Sequence, residues 1–276
     1  MKKLILWIGM DVILIMALGA CSGRVADEGG LPSTSGAVDI VGIPIPIPTE
    51  APEESSEEIL QEPEPEMVEP APDILTITIS AAGDCSLGNH QDQEYAYSFR
   101  QVYDQIEDEG YFFENVRDFF ANDDMTIVNF EGVLTFSEER DETRTYNIKG
   151  DPQYARLLTA GSVETVSFAN NHRLDYGTKG SDDTVAALEA AGIIYAYDRN
   201  VGIYETDKGI RIGFVSVNEV AWGLGSEQLL AEGIDKLRAQ GVDLILACCH
   251  WGIERDNFPT QNQQYLGRKC IDLGAD

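Results

Sequence analysis

The chain has 276 residues, 48 acidic against 19 basic, for a formal net charge of -29. Its length allows one or two domains, and the acid excess argues against nucleic acid as a partner, because phosphate binding needs a basic face. A hydrophobic content of 43% supplies a core, but unevenly: residues 1–73 hold nine of the 11 prolines with 14 acids and 3 bases, and residues 74–276 hold the other 34 acids and 16 bases.

Lys2 and Lys3 precede an apolar run from Leu4 to Ala20, broken only by Asp11. A positive start, an apolar stretch and small residues at its end predict a secretory signal. The run ends in Leu18-Gly19-Ala20-Cys21, which reads as a lipobox, with Cys21 lipidated and the new N-terminus. An uncleaved membrane anchor is the alternative. Either places the remainder outside the cytoplasm at the membrane face, and a diacylated cysteine supplies the two-chain anchoring that one acyl chain does not. Residues 22–73 read as a tether. Ile43-Pro44-Ile45-Pro46-Ile47-Pro48 favours an extended path, and Glu50 to Asp73 contains ten acids and no base, so it repels itself and stays open.

The folded domain is expected over 74–276. Strands are expected at 74–80, 125–130, 163–168, 193–196 and 242–249, with a hairpin of 201–206 and 210–217 around Lys208-Gly209. Residues 81–84 are expected as a loop. Helical spacing marks 111–121, 151–159, 178–191, 226–240 and 262–273. Alternating strands and helices predict an α/β layered domain with helices flanking a parallel or mixed sheet. Cys248 and Cys249 fall on opposite faces of one strand and read as small core residues, and no cysteine pair has metal-ligand spacing. Export permits a disulfide to Cys270 without requiring one.

In open α/β sheets, ligands gather beyond the carboxyl ends of strands. Four strands lead there to residues that carry chemistry: Gly83-Asp84; Asn129-Phe130-Glu131-Gly132; Asn170-Asn171-His172 followed by Asp175; and His250-Trp251-Gly252 followed by Glu254. Two of the chain's three histidines sit at such ends. Carboxylates, amides and imidazoles converging this way suit a divalent cation (Mn, Fe, Zn or Mg) rather than a thiolate site, which could activate water and clamp a phosphoryl oxygen. Each residue also has a plainer role: Asp84 as a turn cap, Glu131 as a solvated carboxylate, Asn171 and His172 as a hydrogen-bonded loop pair, and His250 as a core histidine. Asp175 is expected to hold the Asn-His loop, and His90 is left unassigned.

These stretches, with Thr135, Gly150-Asp151-Pro152, Arg173 to Gly177 and Asp272-Leu273-Gly274-Ala275-Asp276, resemble the bacterial capsule and poly-gamma-glutamate synthesis proteins of CapA type, whose domain is similar to calcineurin-like metallophosphoesterases. The resemblance runs from about residue 75 to the end, and Asn-Asn-His-x-x-Asp-x-Gly is its most specific element. It implies a layered metallophosphoesterase-like sandwich with two divalent ions in a complete domain. Asp84, Glu131, Asn171 and His250 would be metal ligands, His172 and Glu254 catalytic or substrate-facing residues, and Asp175 a support behind them. The chain departs from the pattern in two places. Cys85 and Ser86 follow Asp84 where phosphoesterases carry Asp-x-His. The family's Gly-Ala-Asp is also followed by a further strand and a histidine-bearing segment, whereas this chain stops at Asp276, so a domain truncated at its C-terminus is expected.

The functional expectation is a surface-tethered, metal-dependent hydrolase-like component of capsule or poly-gamma-glutamate synthesis or export. Its partners would be an anionic extracellular polymer or a membrane synthase complex. A non-catalytic accessory protein and a generic surface phosphoesterase are the alternatives.

Overall fold

Two runs of apolar side chains with period two, one in each half of the domain, build two sheets that face each other. The computed structural model describes residues 75–276; the signal, Cys21 and the tether lie outside the described residues. The elements in order are β1 (Ile79–Cys85), β2 (Asn89–His90), α1 (Phe99–Gln105), α2 (Arg117–Phe120), β3 (Met125–Phe130), β4 (Val133–Leu134), β5 (Ile148–Gly150), α3 (Ala155–Ala160), β6 (Thr165–Ser167), α4 (Gly177–Ala190), β7 (Ile194–Ala196), β8 (Gly202–Glu205), β9 (Arg211–Asn218), α5 (Glu219–Trp222), α6 (Ser226–Ala239), β10 (Leu244–His250) and α7 (Gln261–Leu273). The first sheet runs β1-β3-β6-β7, all parallel. The second runs β10-β9-β8, with β10 parallel and β8 antiparallel to β9. A small third sheet orders β2-β5-β4.

The layering follows from alternation along each strand. Met125 and Ile127 of the first sheet meet Ile212, Phe214 and Leu244 of the second in a shared apolar layer. Val128, Phe130 and Val166 face the other way, onto Leu157, Leu158 and Leu188 of α3 and α4. Val215, Val217 and Ile245 do the same for α6 and α7, packing on Leu230, Ile234, Leu237 and Leu266. The result is a helix–sheet–sheet–helix sandwich, the α/β class with mixed sheets expected from the sequence. Near the carboxyl ends the two sheets are also joined by a polar bond, Ser167 Oγ to Ser216 Oγ at 2.7 Å. Cys248 packs between the sheets and Cys249 on the helix side, and all four cysteines of the described residues are free thiols. Among the described residues no helix is long and apolar enough to cross a membrane.

Three expectations need correction. The first strand is Ile79–Cys85, not 74–80: Ala81, Ala82 and Asp84 pair with β3, with Gly83 bulged between them, rather than forming a loop. The helix expected at 111–121 is a single 3-10 turn, Tyr111–Phe113, followed by α2, because the backbone leaves the helical region at Val116 (φ -125°). Helix α1 is not among the elements expected from the sequence. It is capped by Ser98, whose Oγ accepts from the Gln101 N–H at 3.0 Å, and held by Phe99 and Tyr103, one turn apart, both against Tyr154.

Gly202 shows how closely the shared layer is packed. It pairs directly with Phe214, and a Cβ there would lie 2.2 Å from the ring of that fully buried side chain. Gly202→Ala is expected to lower unfolding stability by about 1–3 kcal/mol through overpacking. A urea midpoint unchanged from wild type would contradict this.

Candidate metal centre

The same alternation that builds the shared layer aims the site. On β10, Leu244, Leu246 and Cys248 face between the sheets, so His250, the next in step, ends the strand on that face. On β3, Met125 and Ile127 face inward, and Asn129 and Glu131 continue the series. The backbone N–H of Glu131 still bonds to Cys85 O at 3.1 Å, which carries the ladder one step beyond the strand. Gly132, at φ +118°, then turns the chain away; a Cβ there would meet Ile148 at 2.8 Å. On β1 the alternation would send Asp84 to the helix side, but the register with β3 shifts between Ala82 and Asp84, pairing Asp84 with Asn129. This bulge returns the carboxylate to the inter-sheet face.

Asp84, Glu131 and His250 therefore converge, each offering a ligand atom within 4.8 Å of the others. The Asn129 amide stands among them: its Nδ2 lies 2.7 Å from Asp84 Oδ1, 3.0 Å from Glu131 Oε2 and 3.3 Å from His250 Nδ1. Asn170 holds Asn129 in turn, Nδ2 to Oδ1 at 3.1 Å. Beside this cluster, His172 Nε2 lies 3.7 Å from Glu131 Oε1, and His172 Nδ1 is 2.7 Å from Asp175 Oδ2. Asp175 is fully buried; its Oδ2 also accepts from the Ile148 N–H at 2.7 Å, and its Oδ1 lies 3.4 Å from Arg144 Nη1. Arg144 also donates to the backbone carbonyl of Asn171. Asn171 Oδ1 is buried with no hydrogen-bond partner.

The other sequence-derived candidates fall differently. Glu254 is exposed and is not one of the converging ligands. The carboxylate that works behind His250 is Glu219, which accepts from Gly252 N at 3.4 Å and from Asn262 Nδ2 at 2.8 Å, fixing the turn that follows the histidine. His90 lies on β2 against Tyr146, apart from the converging set. Sequence reasoning assigned no role to Asn129, Asn170, Arg144 or Glu219. The signal for Asn129 was present: it is the inward-facing residue two before Glu131.

Charge is tuned within the site. Burial, then the bond to Asp84 and that group's charge, pushes the Glu131 carboxyl up to about 7. Burial lowers His250, partly offset by the charge of Asp84, so its imidazole is neutral near pH 7. For His172, burial disfavours the charged ring, but the Asp175 bond and the charges of Asp175 and Glu131 outweigh it and raise the pKa. Two carboxylates and a neutral imidazole fit a hard or borderline divalent cation. Such a cation competes with the proton on Glu131. Affinity for Mn2+ should therefore fall about tenfold per pH unit below about pH 7 and level off above it. Calorimetric titration from about pH 6 to about pH 8 checks this, and a flat profile would contradict it.

A family model described as "Bacterial capsule synthesis protein PGA_cap" matches residues 78–276. Among curated proteins, a "Capsule biosynthesis protein CapA" of Bacillus anthracis is 23% identical over 224 residues, 72% of this chain and 52% of the relative. A "PGA biosynthesis protein CapA" of Bacillus subtilis is 25% identical over 186 residues, 59% of this chain and 48% of the relative. The chain thus spans about half the length of the curated relatives it matches. Among solved structures, the calcineurin-like phosphoesterase YfkN from Bacillus subtilis is similar at 18% identity, covering 66% of this chain and 64% of that one, with a TM-score of 0.38.

Proposed function

The chain belongs to the bacterial capsule synthesis protein family PGA_cap, and from that premise we propose that its domain is a divalent-cation-dependent hydrolase-like module of capsule or poly-gamma-glutamate biosynthesis, held at the outer face of the membrane by a lipidated Cys21. The observation that carries the metal reading is the convergence of Asp84, Glu131 and His250. Asn171, through its unpartnered oxygen, is a further candidate ligand. Were a pair of ions bound, as the family resemblance implies, Asp84, Glu131, Asn171 and His250 would be the residues to hold it.

A cation bound there supplies a Lewis acid and a place where water ionises near neutral pH. The chain's own residues do the rest. Asp175 accepts from His172 Nδ1 and fixes the ring, leaving Nε2 toward the cluster. The raised pKa keeps a proton available at Nε2 for a leaving group, the general-acid role. Substrates that fit are phosphoesters or gamma-glutamyl amides of an anionic polymer.

The test is a turnover panel of both substrate classes with and without Mn2+ or Zn2+. Metal-dependent hydrolysis reduced about 10²–10⁴-fold in His172→Ala supports the proposal. Saturable metal binding without turnover of either class moves the function to a non-catalytic accessory in a synthase complex. One observation favours that second reading: with 34 acids against 16 bases over residues 74–276, the domain repels a free polyanion unless cations intervene.

A further inference from the structure

The amide of Asn129 has one orientation open to it, and Asn170 sets it. Asn170 Oδ1 accepts from the His172 backbone N–H at 3.0 Å, and its Nδ2 donates to the Phe130 carbonyl at 2.7 Å. Neither backbone group can exchange roles, so the Asn170 amide cannot be turned over. The same Nδ2 meets the Asn129 side chain at 3.1 Å, which must present Oδ1 there. The Asn129 Nδ2 therefore faces Asp84 Oδ1, Glu131 Oε2 and His250 Nδ1, at 2.7, 3.0 and 3.3 Å. Its two hydrogens go to the two carboxylates, at the shorter distances. A proton on His250 Nδ1 would face this same donor, so the proton of the neutral ring sits on Nε2 and Nδ1 keeps its lone pair.

We propose that Asn129, locked by Asn170, is the positioning residue of the centre: it ties Asp84 to Glu131 and leaves Nδ1 of His250 as the atom that meets a cation. The proposal rests on the reading of this site as a metal centre. Because its own oxygen is turned toward Asn170, Asn129 is not itself a ligand. The two amides also connect the His172 backbone to the carboxylates, so the ends of β1 and β3 and the turn after β6 are held as one unit. Outer hydrogen bonds of this kind orient ligands and tune the metal.

The experiment uses the whole chain, isotopically labelled and loaded with Cd2+, with the histidine side chains followed by heteronuclear NMR. Only three histidines need assigning. Cadmium is expected to couple to Nδ1 of His250 while Nε2 stays protonated. Asn129→Ala and Asn170→Ala should each lower Cd2+ affinity by about 10–100-fold with the circular dichroism of the fold unchanged. In Asn129→Ala the donor facing Nδ1 is gone, a proton can sit on Nδ1, and coupling to Nε2 should appear, a change that loss of stability alone does not produce. Coupling to Nε2 in the wild type, or wild-type affinity in Asn129→Ala, overturns the proposal and leaves the metal centre standing. Absence of saturable Cd2+ binding in the wild type overturns both.

Discussion

His250→Ala is expected to weaken binding of Mn2+ or Zn2+ by at least about 100-fold, beyond what loss of an outer partner costs. His250 supplies the nitrogen in a set of three converging residues, and the other two are carboxylates that repel each other when both are ionised. The histidine ends β10 on the inter-sheet face, so its removal leaves Leu244, Leu246 and the register with β9 untouched. The metal-free variant should therefore melt close to the metal-free wild type. What it should lose is the rise in melting temperature that a bound ion confers. Calorimetric titration and a thermal scan with and without Mn2+ separate these effects. Wild-type affinity in His250→Ala would remove the residue from the site.

Asp175→Ala is expected to lower unfolding stability by about 3 kcal/mol. The carboxylate is fully buried and holds three partners at once: the Ile148 N–H, His172 Nδ1 and, through charge, Arg144. Alanine leaves the Ile148 donor without its partner and removes the anion opposite Arg144, and a lost hydrogen bond to a charged group is worth about 1.5–3 kcal/mol. Arg144 is partly exposed, so water recovers part of its share. Asp175→Asn keeps the shape and loses the charge, which gives a pH signature. Asp175 raises the His172 pKa against the effect of burial. A group whose folded pKa is raised contributes stability that is full below its unfolded value, about 6.5. That contribution fades as pH rises through the folded value. The advantage of wild type over Asp175→Asn should therefore be largest near about pH 5.5 and smaller near about pH 8. Urea unfolding at both values checks the sign, and an advantage that grows with pH would contradict it.

Much of the site was legible because its residues obey the period of their strands. His250 follows a fully apolar run and Glu131 follows β3, so both could be placed at carboxyl ends before any coordinates. Asp84 was placed there for an incomplete reason. Its position at a strand end was readable, but the strand includes residues 81–84, and the register shift that brings the carboxylate inward leaves no mark beyond Gly83. Asn129 and Asn170 were invisible as roles because an asparagine at a strand end or in a loop has many uses. Only the backbone groups of Phe130, on β3 and far from Asn170 in sequence, and of His172 fix what their amides do. Glu254 stands out in the sequence because it lies near His250. Glu219, over thirty positions away, is the one that reaches the turn after the histidine. Sequence proximity misled there, and strand order corrected it.

Anomalous diffraction from crystals of the protein grown with Mn2+ tests the central claim most directly. The account predicts a peak within coordination distance of Asp84, Glu131 and His250 together, with Asn129 outside the inner set of ligands. A folded, Mn2+-saturated protein whose anomalous peaks lie away from all three residues would contradict it.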